Sequence, residues 1–307
     1  MVDAAGSPSG NQTLSFLLRR FAEAGIRPRT KLGQNFLVDL NLLRLLFRSA
    51  EIGPDDVVLE VGTGTGSLTA MMAEQAAVVV TVELDSQLFQ LAEEELHGAA
   101  NVRMLQIDAL KNKNRLQPEL LEAVGLELDA ASGRQFKLVA NLPYSIATPL
   151  LSNLLALDRP PQSMTVTIQK ELADRITAAP ATKDYGALSI WIQSQCRVEL
   201  VRVIPPSAFW PRPKVHSAIV RLELDSERRG RISDRDYFHR FVRAMFFHRR
   251  KFLRSELLSV MKNRLDKPAV DRILDEMGLD GTARAEALDV PAMLALCERM
   301  RREDLEA

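Results

Sequence analysis

The tetrapeptide Asn141-Leu142-Pro143-Tyr144 carries residues of this chain that suit chemistry on a planar amine. It follows an apolar run, 136–140, that predicts a buried strand. The side-chain oxygen of Asn141 and the peptide carbonyl of Leu142 can each accept a hydrogen bond from an amine. Pro143 fixes the backbone angle φ, and Tyr144 offers a face on which a base can stack. The alternative is a turn that leads into a helix with a buried tyrosine, and the tetrapeptide alone leaves both interpretations open.

A glycine turn lies upstream, after the predicted strand 57–61. Its sequence from Gly62 to Gly66 has the spacing GxGxG, and Ser67 stands where a dinucleotide fingerprint would have its third glycine. The segment 62–70 is uncharged, so it lacks the lysine with which a phosphate-binding loop meets its ligand. The turn therefore disfavours both a nicotinamide cofactor and a phosphate site.

Two acidic residues end the next two predicted strands. The strand 77–82 leads to Glu83, whose carboxylate can accept hydrogen bonds from ribose hydroxyls. The strand 102–107 leads to Asp108, whose carboxylate can receive the amine of a cofactor adenine. Either acid alone is also compatible with a solvated strand cap. Together with the glycine turn and the tetrapeptide at the fourth strand tip, they predict an S-adenosylmethionine site.

The order of these motifs resembles the small-subunit ribosomal RNA adenine dimethyltransferases of the KsgA type. These belong to the class I S-adenosylmethionine-dependent rRNA adenine-N6 methyltransferases. The resemblance extends from Thr13 to about Met300. It rests on eight segments in order: 32–37 (LGQNFL), 60–66 (EVGTGTG), 83–85 (ELD), 108–110 (DAL), 141–144 (NLPY), 169–171 (QKE), 184–189 (DYGALS) and 206–215 (PSAFWPRPKV).

This resemblance implies roles for individual residues and no metal. The residues it places against S-adenosylmethionine are Gln34, Asn35, Leu37, Gly62, Gly64, Gly66, Glu83, Asp108, Ala109 and Asn141. The residues it places around the target adenine are Asn141, Leu142, Pro143, Tyr144 and Phe209. The base is expected to stack between the two aromatic rings of this second set.

The activity that the resemblance implies is dimethylation of two adjacent adenosines near the 3′ end of small-subunit rRNA, in small-subunit biogenesis. Transfer is expected to be a direct displacement, in which positioning removes roughly 7–11 kcal/mol of the barrier. One alternative is a sister class that methylates one adenine of large-subunit RNA and confers macrolide resistance. The segment 184–189, the basic run 249–251 and the longer helical tail favour the small-subunit class. The other alternative is a ribosome-assembly factor in which methylation is secondary.

Positive charge concentrates in one segment, although the whole chain has 40 basic and 40 acidic residues. Between Arg228 and Arg254 there are ten basic residues and two acidic ones, a local charge of about +8. Phenylalanines are interleaved with these charges, and we interpret them as core residues and the basic cluster as RNA-binding. The alternative is a solvated surface helix. The residues expected to bind RNA are Arg249, Arg250, Lys251, Arg254 and Lys214, and a second basic stretch runs from Arg19 to Lys31.

Alternating strands and helices up to about residue 224 predict an α/β fold. We expect a Rossmann-like class I methyltransferase domain with a seven-stranded, mostly parallel sheet, helices on both faces, and a small all-helical C-terminal domain. Strands are expected near 57–61, 78–83, 102–107, 136–140, 164–169, 198–204 and 216–224, the last one antiparallel as the resemblance implies. Helices are expected near 234–248, 251–263, 268–277 and 290–303. The predicted domains are 1–12 (disordered), 13–225 (catalytic, S-adenosylmethionine-binding) and 226–307 (helical, RNA-binding).

Composition indicates a cellular setting. Cys196 and Cys297 show no metal or redox spacing, and the sequence has no recognisable signal peptide or membrane span, so a cytoplasmic protein is expected. The resemblance implies the immature small ribosomal subunit as the partner, and we expect a monomer. The departures from the family pattern are a longer segment 112–134, expected to form a surface helix, Trp210 and Arg212 in place of proline-leaning residues, and His216, interpreted as the start of a strand.

Overall fold

The computed structural model of the chain describes residues 14–29, 33–261 and 264–306. These residues form two compact units. The first contains the described residues up to Ala173 together with Glu199–Glu223, and the second contains Asp174–Val198 and the described residues from Leu224 onward. The division differs from the predicted boundary at residue 225, because 174–198 cluster with the C-terminal helices. The roles assigned to the domains stay predictions, and the disorder predicted for 1–12 lies outside the described residues.

Strands and helices alternate along the first unit, and helices dominate the second. The strands are β1 (Phe36–Leu37), β2 (Asp56–Val61), β3 (Val78–Val82), β4 (Val102–Leu105), β5 (Leu110–Asn112), β6 (Arg115–Leu116), β7 (Gln135–Asn141), β8 (Ser163–Gln169), β9 (Cys196–Ile204), β10 (Phe209–Trp210) and β11 (Ser217–Leu224). The helices are α1 (Leu14–Glu23), α2 (Leu40–Ser49), α3 (Ser67–Ala73), α4 (Ser86–Glu95), α5 (Pro118–Asp129), α6 (Ala147–Ala156), α7 (Lys170–Thr177), α8 (Ala187–Gln193), α9 (Ser226–Gly230), α10 (Arg235–Met245), α11 (Leu253–Val260), α12 (Lys267–Glu276) and α13 (Val290–Glu306).

Seven of these strands form one sheet in the order β4-β3-β2-β7-β8-β11-β9. Strand β2 is parallel to β3 and β7, β3 is parallel to β4, and β7 is parallel to β8. Strand β11 is antiparallel to β8. Every residue of β2 and β3 is buried, as the near-continuous apolar sequence of these strands requires. The predicted seven-stranded, mostly parallel sheet with an antiparallel last strand is therefore confirmed.

The strand order reverses at β2, and this point determines where a ligand can bind. The chain passes from β2 to β3 and β4 on one side, and then returns to β7 on the other side of β2. In open α/β sheets a crevice forms at such a point, outside the carboxyl ends of the strands. The loops after β2, β3 and β7 consequently meet at one edge of the sheet.

The segment 112–134 forms the end of a small hairpin and the helix α5. Leu120, Val124 and Leu128 are buried on one face of α5, at the spacing that places side chains on the same side of a helix. This helix contacts β2 and β3. The expected helix is present, and its apolar face covers the sheet while Glu119, Glu122 and Asp129 are exposed.

The second unit is held by aromatic and aliphatic side chains of its helices. Trp191 lies 6.3 Å from the ring of Phe238 and stacks on His239 at 4.3 Å. Helix α10 begins at the cap Asp234, whose side chain accepts the Tyr237 N–H at 2.8 Å. The four predicted C-terminal helices are confirmed as α10 to α13, whereas α9 was not predicted. None of the described helices is both long and apolar enough to cross a membrane.

Candidate active site

A cleft of about 260 Å³ lies at the edge of the sheet where β2, β3 and β7 end. The structure brings together, in its lining, eleven of the residues for which the sequence predicted a role. They are Gln34, Asn35, Leu37, Gly62, Gly64, Glu83, Asp108, Ala109, Asn141, Leu142 and Pro143. Among the described residues that line it, Gly66, Tyr144 and Phe209 are absent. Gly66 lies beside the cleft as the N-terminal cap of α3.

The glycine turn touches the tetrapeptide that follows β7. Gly62 has φ of 88°, in the left-handed region that side chains disfavour. A Cβ atom added at Gly62 would lie 3.3 Å from both Cγ and Cδ of Pro143. Glycine is therefore needed at position 62 both for the turn and for the close approach of Pro143.

Glu83 is oriented by two backbone N–H groups. One carboxyl oxygen accepts the Gly64 N–H at 3.0 Å and the other accepts the Asp85 N–H at 2.9 Å. The side chain is buried, and burial raises the pKa of Glu83 while the two backbone hydrogen bonds partly oppose that rise. Each carboxyl oxygen keeps a further lone pair. The carboxylate is thus positioned to accept two hydroxyl groups of a ligand.

Asp85 joins Arg29 and Gln34 to the start of helix α4. Its carboxylate caps α4 by accepting the Gln87 N–H at 3.0 Å, and it pairs with Arg29 at 3.3 Å. Gln34 donates to the same carboxylate at 3.4 Å, and its side-chain oxygen accepts the Arg29 N–H at 2.6 Å. These contacts hold Gln34 at the cleft. Lys31, in the second basic stretch, lies outside the described residues.

Asp108 lies at the cleft and also caps its own turn. One of its carboxyl oxygens accepts the Leu110 N–H at 2.9 Å. The bond fixes the carboxylate and leaves its second oxygen for a ligand. The strand cap and the predicted adenine contact are therefore compatible, and the contact stays a prediction.

Asn141 ends β7 with its amide group fixed in one orientation. Its Nδ2 donates a hydrogen bond to the backbone oxygen of Asn35 at 2.9 Å. The side-chain oxygen is consequently the atom of the amide that remains to accept a hydrogen bond in the cleft. Leu142 is held beside it, because its N–H donates to the Thr167 carbonyl of β8 at 3.1 Å.

The two aromatic residues predicted to stack on the base have different surroundings. The Tyr144 hydroxyl shares a hydrogen bond of 2.5 Å with the hydroxyl of Ser217 at the start of β11, so the ring is fixed at its far end. Phe209 is 3% exposed and packs in the core beside Leu37, its partner in the β1–β10 pair. Stacking on Phe209 stays a prediction, and it requires this ring to leave the core.

Glu60 is a cleft residue to which the sequence analysis assigned no role. It is 1% exposed, and the hydroxyls of Thr69 and Thr81 donate to the same carboxyl oxygen at 2.5 and 2.7 Å. Burial raises the pKa of Glu60 to about 8, and the neighbouring Glu83 carboxylate adds to the rise. Its carboxyl group is therefore mainly protonated at neutral pH. The acidic residue just before the glycine turn was the signal that could have identified it.

We expect Glu60→Gln to stabilise the folded chain by an amount that grows with pH. Because the folded-state pKa lies above the ordinary value of 4.5, ionisation of Glu60 costs stability. The cost is absent below about pH 4.5 and reaches on the order of 4 kcal/mol near pH 8. Thermal unfolding of both proteins between pH 5 and pH 8 measures it.

The matched control for this prediction is Glu74→Gln, an exposed glutamate at the end of α3. Its melting temperature should follow that of the parent at every pH. A Glu60→Gln protein whose advantage over the parent shrinks as the pH rises would contradict the prediction.

The residues predicted to bind RNA are exposed to different degrees and differ in their partners. Arg249 donates to Glu286 at 2.9 Å and to the Tyr185 carbonyl at 3.0 Å, and Arg254 pairs with Asp271. Arg250, Lys251 and Lys214 are exposed, and no ion pair joins them to another described residue. The three cations without an internal counterion are thus the ones most available to phosphate.

The seven-stranded sheet, the glycine turn after β2 and the acids after β3 and β4 define a class I S-adenosylmethionine-dependent methyltransferase. More narrowly, the chain belongs to the ribosomal RNA adenine dimethylase family, whose sequence model matches residues 25–296. The predicted family, the predicted enzyme class and S-adenosylmethionine as the cofactor are thereby confirmed.

Curated relatives cover most of this chain. A protein of Lactiplantibacillus plantarum is 39% identical over 92% of this chain and 93% of its own length. One of Geobacillus thermodenitrificans is 38% identical over 90% of this chain and 92% of its own length. Both are named ribosomal RNA small subunit methyltransferase A.

Solved structures share the fold. A dimethyladenosine transferase from Plasmodium falciparum superposes with a TM-score of 0.71 at 24% identity, covering 86% of this chain and 97% of that one. A 23S rRNA methyltransferase, ErmE, superposes with a TM-score of 0.59 at 25% identity, covering 87% and 99%. These likenesses confirm the predicted fold class.

The charge and shape of the cleft fit S-adenosylmethionine. Glu83 and Asp108 line it beside the mainly protonated Glu60, and no Lys or Arg is among the described residues that do so. Carboxyl groups without neighbouring cations suit a ligand with a sulfonium and an ammonium group. Gly62 and Gly64 line the cleft with positive φ angles, and a Cβ atom added at them would meet Pro143 and Phe36, two other lining residues.

Proposed function

We propose that this chain dimethylates the exocyclic amines of two adjacent adenosines near the 3′ end of small-subunit rRNA, during biogenesis of the small subunit. The names of its curated relatives support this substrate. We further propose that it acts as a cytoplasmic monomer on the immature small ribosomal subunit.

The observation that carries the proposal is the fixed amide of Asn141. Because its Nδ2 donates to the Asn35 carbonyl, the amide is held in one orientation and its side-chain oxygen is left as an acceptor for an amine that enters the cleft. The carbonyl of Leu142 supplies a second acceptor next to it. In the first transfer, two acceptors on the two amine hydrogens turn the nitrogen lone pair out of conjugation with the adenine ring. In the second transfer, the single remaining hydrogen is bound by one of them.

Bound S-adenosylmethionine supplies an electrophilic methyl group on a sulfonium. Asn141 and Leu142 hold the amine nitrogen at a near-attack position, which is worth roughly 7–11 kcal/mol of the barrier. Positive charge develops on the nitrogen during transfer, so the two oxygens stabilise the transition state more than the ground state. The S–CH3 bond would break as the N–CH3 bond forms, and the cationic nitrogen would then release one hydrogen as a proton to water, so no residue needs to act as a base before the amine attacks.

Mapping of methylated adenosines in ribosomal RNA, with and without the gene, tests the proposed function. Two adjacent N6,N6-dimethyladenosines near the 3′ end of small-subunit rRNA should vanish without the gene and return with it. A methylated adenine missing from large-subunit rRNA instead would contradict the substrate. That second candidate is favoured by the structural likeness to ErmE.

The same experiment, repeated with a variant that cannot methylate, distinguishes an assembly role from methylation. A chain with Asn141→Ala should restore neither methylated adenosine. If this protein nevertheless restored normal small-subunit maturation, the assembly role would be the larger part of its function.

We expect Arg250→Gln with Lys251→Gln to weaken binding to small ribosomal subunits without changing cofactor affinity. Both side chains are exposed and have no internal counterion among the described residues. Each phosphate-binding cation that the double variant removes should reduce the slope of log K against log salt by about 0.7–0.9. Phosphate contacts position an enzyme without reading sequence, so the same nucleotides should be methylated in lower yield. Subunit binding at several salt concentrations measures the slope.

Arg231→Gln is the matched control, because this arginine lies in the same basic segment but pairs with Glu227 at 2.6 Å. Its salt slope should equal that of the parent. An unchanged slope in the Arg250 and Lys251 double variant would contradict the prediction and would indicate that Lys214, or Arg19 and its neighbours, bind the RNA instead.

A further inference from the structure

Two phenylalanines of the second unit are exposed, whereas two others of the same basic segment are buried. Phe238 and Phe241 lie in the core with 2% and 3% of their surface exposed. Phe247 is 80% exposed and Phe252 is 52% exposed. They enclose the cationic residues between α10 and α11, so we call 247–252 the aromatic-basic loop. The interpretation of all these phenylalanines as core is therefore wrong for two of them.

The aromatic-basic loop is folded, because hydrogen bonds hold its backbone. The Phe247 N–H donates to Ala244 at 3.1 Å and the Lys251 N–H donates to His248 at 2.9 Å. The Arg249 guanidinium, bound to Glu286 and to the Tyr185 carbonyl, ties the middle of the loop to the rest of the unit. The exposure of Phe247 is thus a feature of an ordered loop.

Two further contacts shape the outer face of this loop. The His248 ring lies 4.7 Å from the Phe247 ring, and its Nδ1 lies 3.8 Å from the buried carboxylate of Glu256. The imidazole therefore supports one side of the phenyl ring while the remainder stays in solvent. Arg250 and Lys251 are exposed three and four residues further along.

We propose that the aromatic-basic loop binds an unpaired segment of RNA, with a base stacked on Phe247 and the adjoining phosphates on Arg250 and Lys251. Single-stranded nucleic acid is bound by this combination of an aromatic platform and neighbouring cations. A duplex offers no free base face, so the occupant is a loop, bulge or end. The inference rests on the proposed function, since it names the kind of rRNA element that the second unit contacts.

Variants at Phe247 test this proposal by separating stacking from charge. Phe247→Ala and Phe247→Leu should weaken binding to small ribosomal subunits about 5-fold or more. The salt slope should stay that of the parent, because both phosphate-binding cations remain in place. Phe247→Tyr keeps an aromatic face and should keep the parent affinity. Binding is measured on small subunits from cells without the gene and on protein-free small-subunit rRNA.

Leu126→Ala is the control, since this leucine of α5 is 67% exposed but has no cationic neighbours in its helical turn. Its affinity should match that of the parent. If the parent binds and methylates subunits and Phe247→Ala binds them with the same affinity, the inference is overturned but the proposed function is not. A parent that binds neither probe would overturn the proposed function as well.

Three other results would also overturn the proposal that a base stacks on Phe247. A Phe247→Leu protein that binds like the parent would indicate an apolar contact. Weaker binding to subunits but not to protein-free rRNA would indicate a ribosomal protein as the partner. A change in sedimentation between the parent and Phe247→Ala would indicate a second copy of this chain.

Discussion

Asn141→Ala is expected to lower the turnover of methyl transfer by about 100-fold or more while leaving cofactor affinity largely in place. The substitution removes an acceptor whose effect increases as charge develops on the amine nitrogen. It also removes the hydrogen bond to the Asn35 carbonyl, which is worth about 1 kcal/mol. A 100-fold decrease corresponds to roughly 2.7 kcal/mol, so the catalytic effect exceeds the structural one.

Single-turnover rates beside calorimetric titration with S-adenosylhomocysteine measure the two effects separately. Asn153→Ala is the matched control, because this asparagine of α6 also donates to a backbone carbonyl, that of Lys113 at 3.3 Å, but lies away from the cleft. Its turnover should equal that of the parent. An Asn141→Ala protein with the turnover of the parent would show that the Asn141 amide has no role in methyl transfer.

Glu83→Ala should weaken cofactor binding by roughly 1–3 kcal/mol, which is about 5- to 150-fold. If Glu83 binds the ribose as predicted, the ribose hydroxyls lose a charged acceptor that two backbone N–H groups orient. The Gly64 N–H also loses its partner, so the glycine turn is less well ordered. Titration with S-adenosylhomocysteine gives the affinity directly.

Asp39→Ala separates the removal of a ligand-binding group from the removal of a cap. The Asp39 carboxylate also accepts two backbone N–H groups, from Asn41 at 2.9 Å and Leu42 at 3.2 Å, but it does not line the cleft. Its removal should lower the melting temperature and preserve cofactor affinity. If the Glu83→Ala protein bound S-adenosylhomocysteine as tightly as the parent does, Glu83 would be only a strand cap.

The sheet was predictable from sequence because its strands are locally encoded. Val57, Val58 and Leu59 form an apolar run too short for a helix and bounded by turn signals, as a doubly covered parallel strand requires. Each strand then ends in a residue whose chemistry differs from the run before it. The carboxyl edge of the sheet, and with it Glu83 and Asn141, followed from that pattern.

Features that depend on distant partners were not predictable. The burial of Phe209 follows from its pairing with Leu37, which is remote in sequence. The raised pKa of Glu60 follows from burial together with hydroxyls on α3 and β3. Residues 174–198 cluster with the C-terminal helices through contacts such as Trp191 with Phe238. None of these partners is marked by local spacing.

The place of β11 in the sheet has a consequence for synthesis of the chain. Strand β11 lies between β8 and β9, although it follows both in sequence. A growing chain that has already emerged as far as β9 therefore presents β8 as an open edge, with unpaired N–H and C=O groups of the kind that lead to aggregation. The Tyr144 hydroxyl likewise has no Ser217 to bond until the last strand emerges. Nascent chains that stall before β11 should consequently depend most on chaperones.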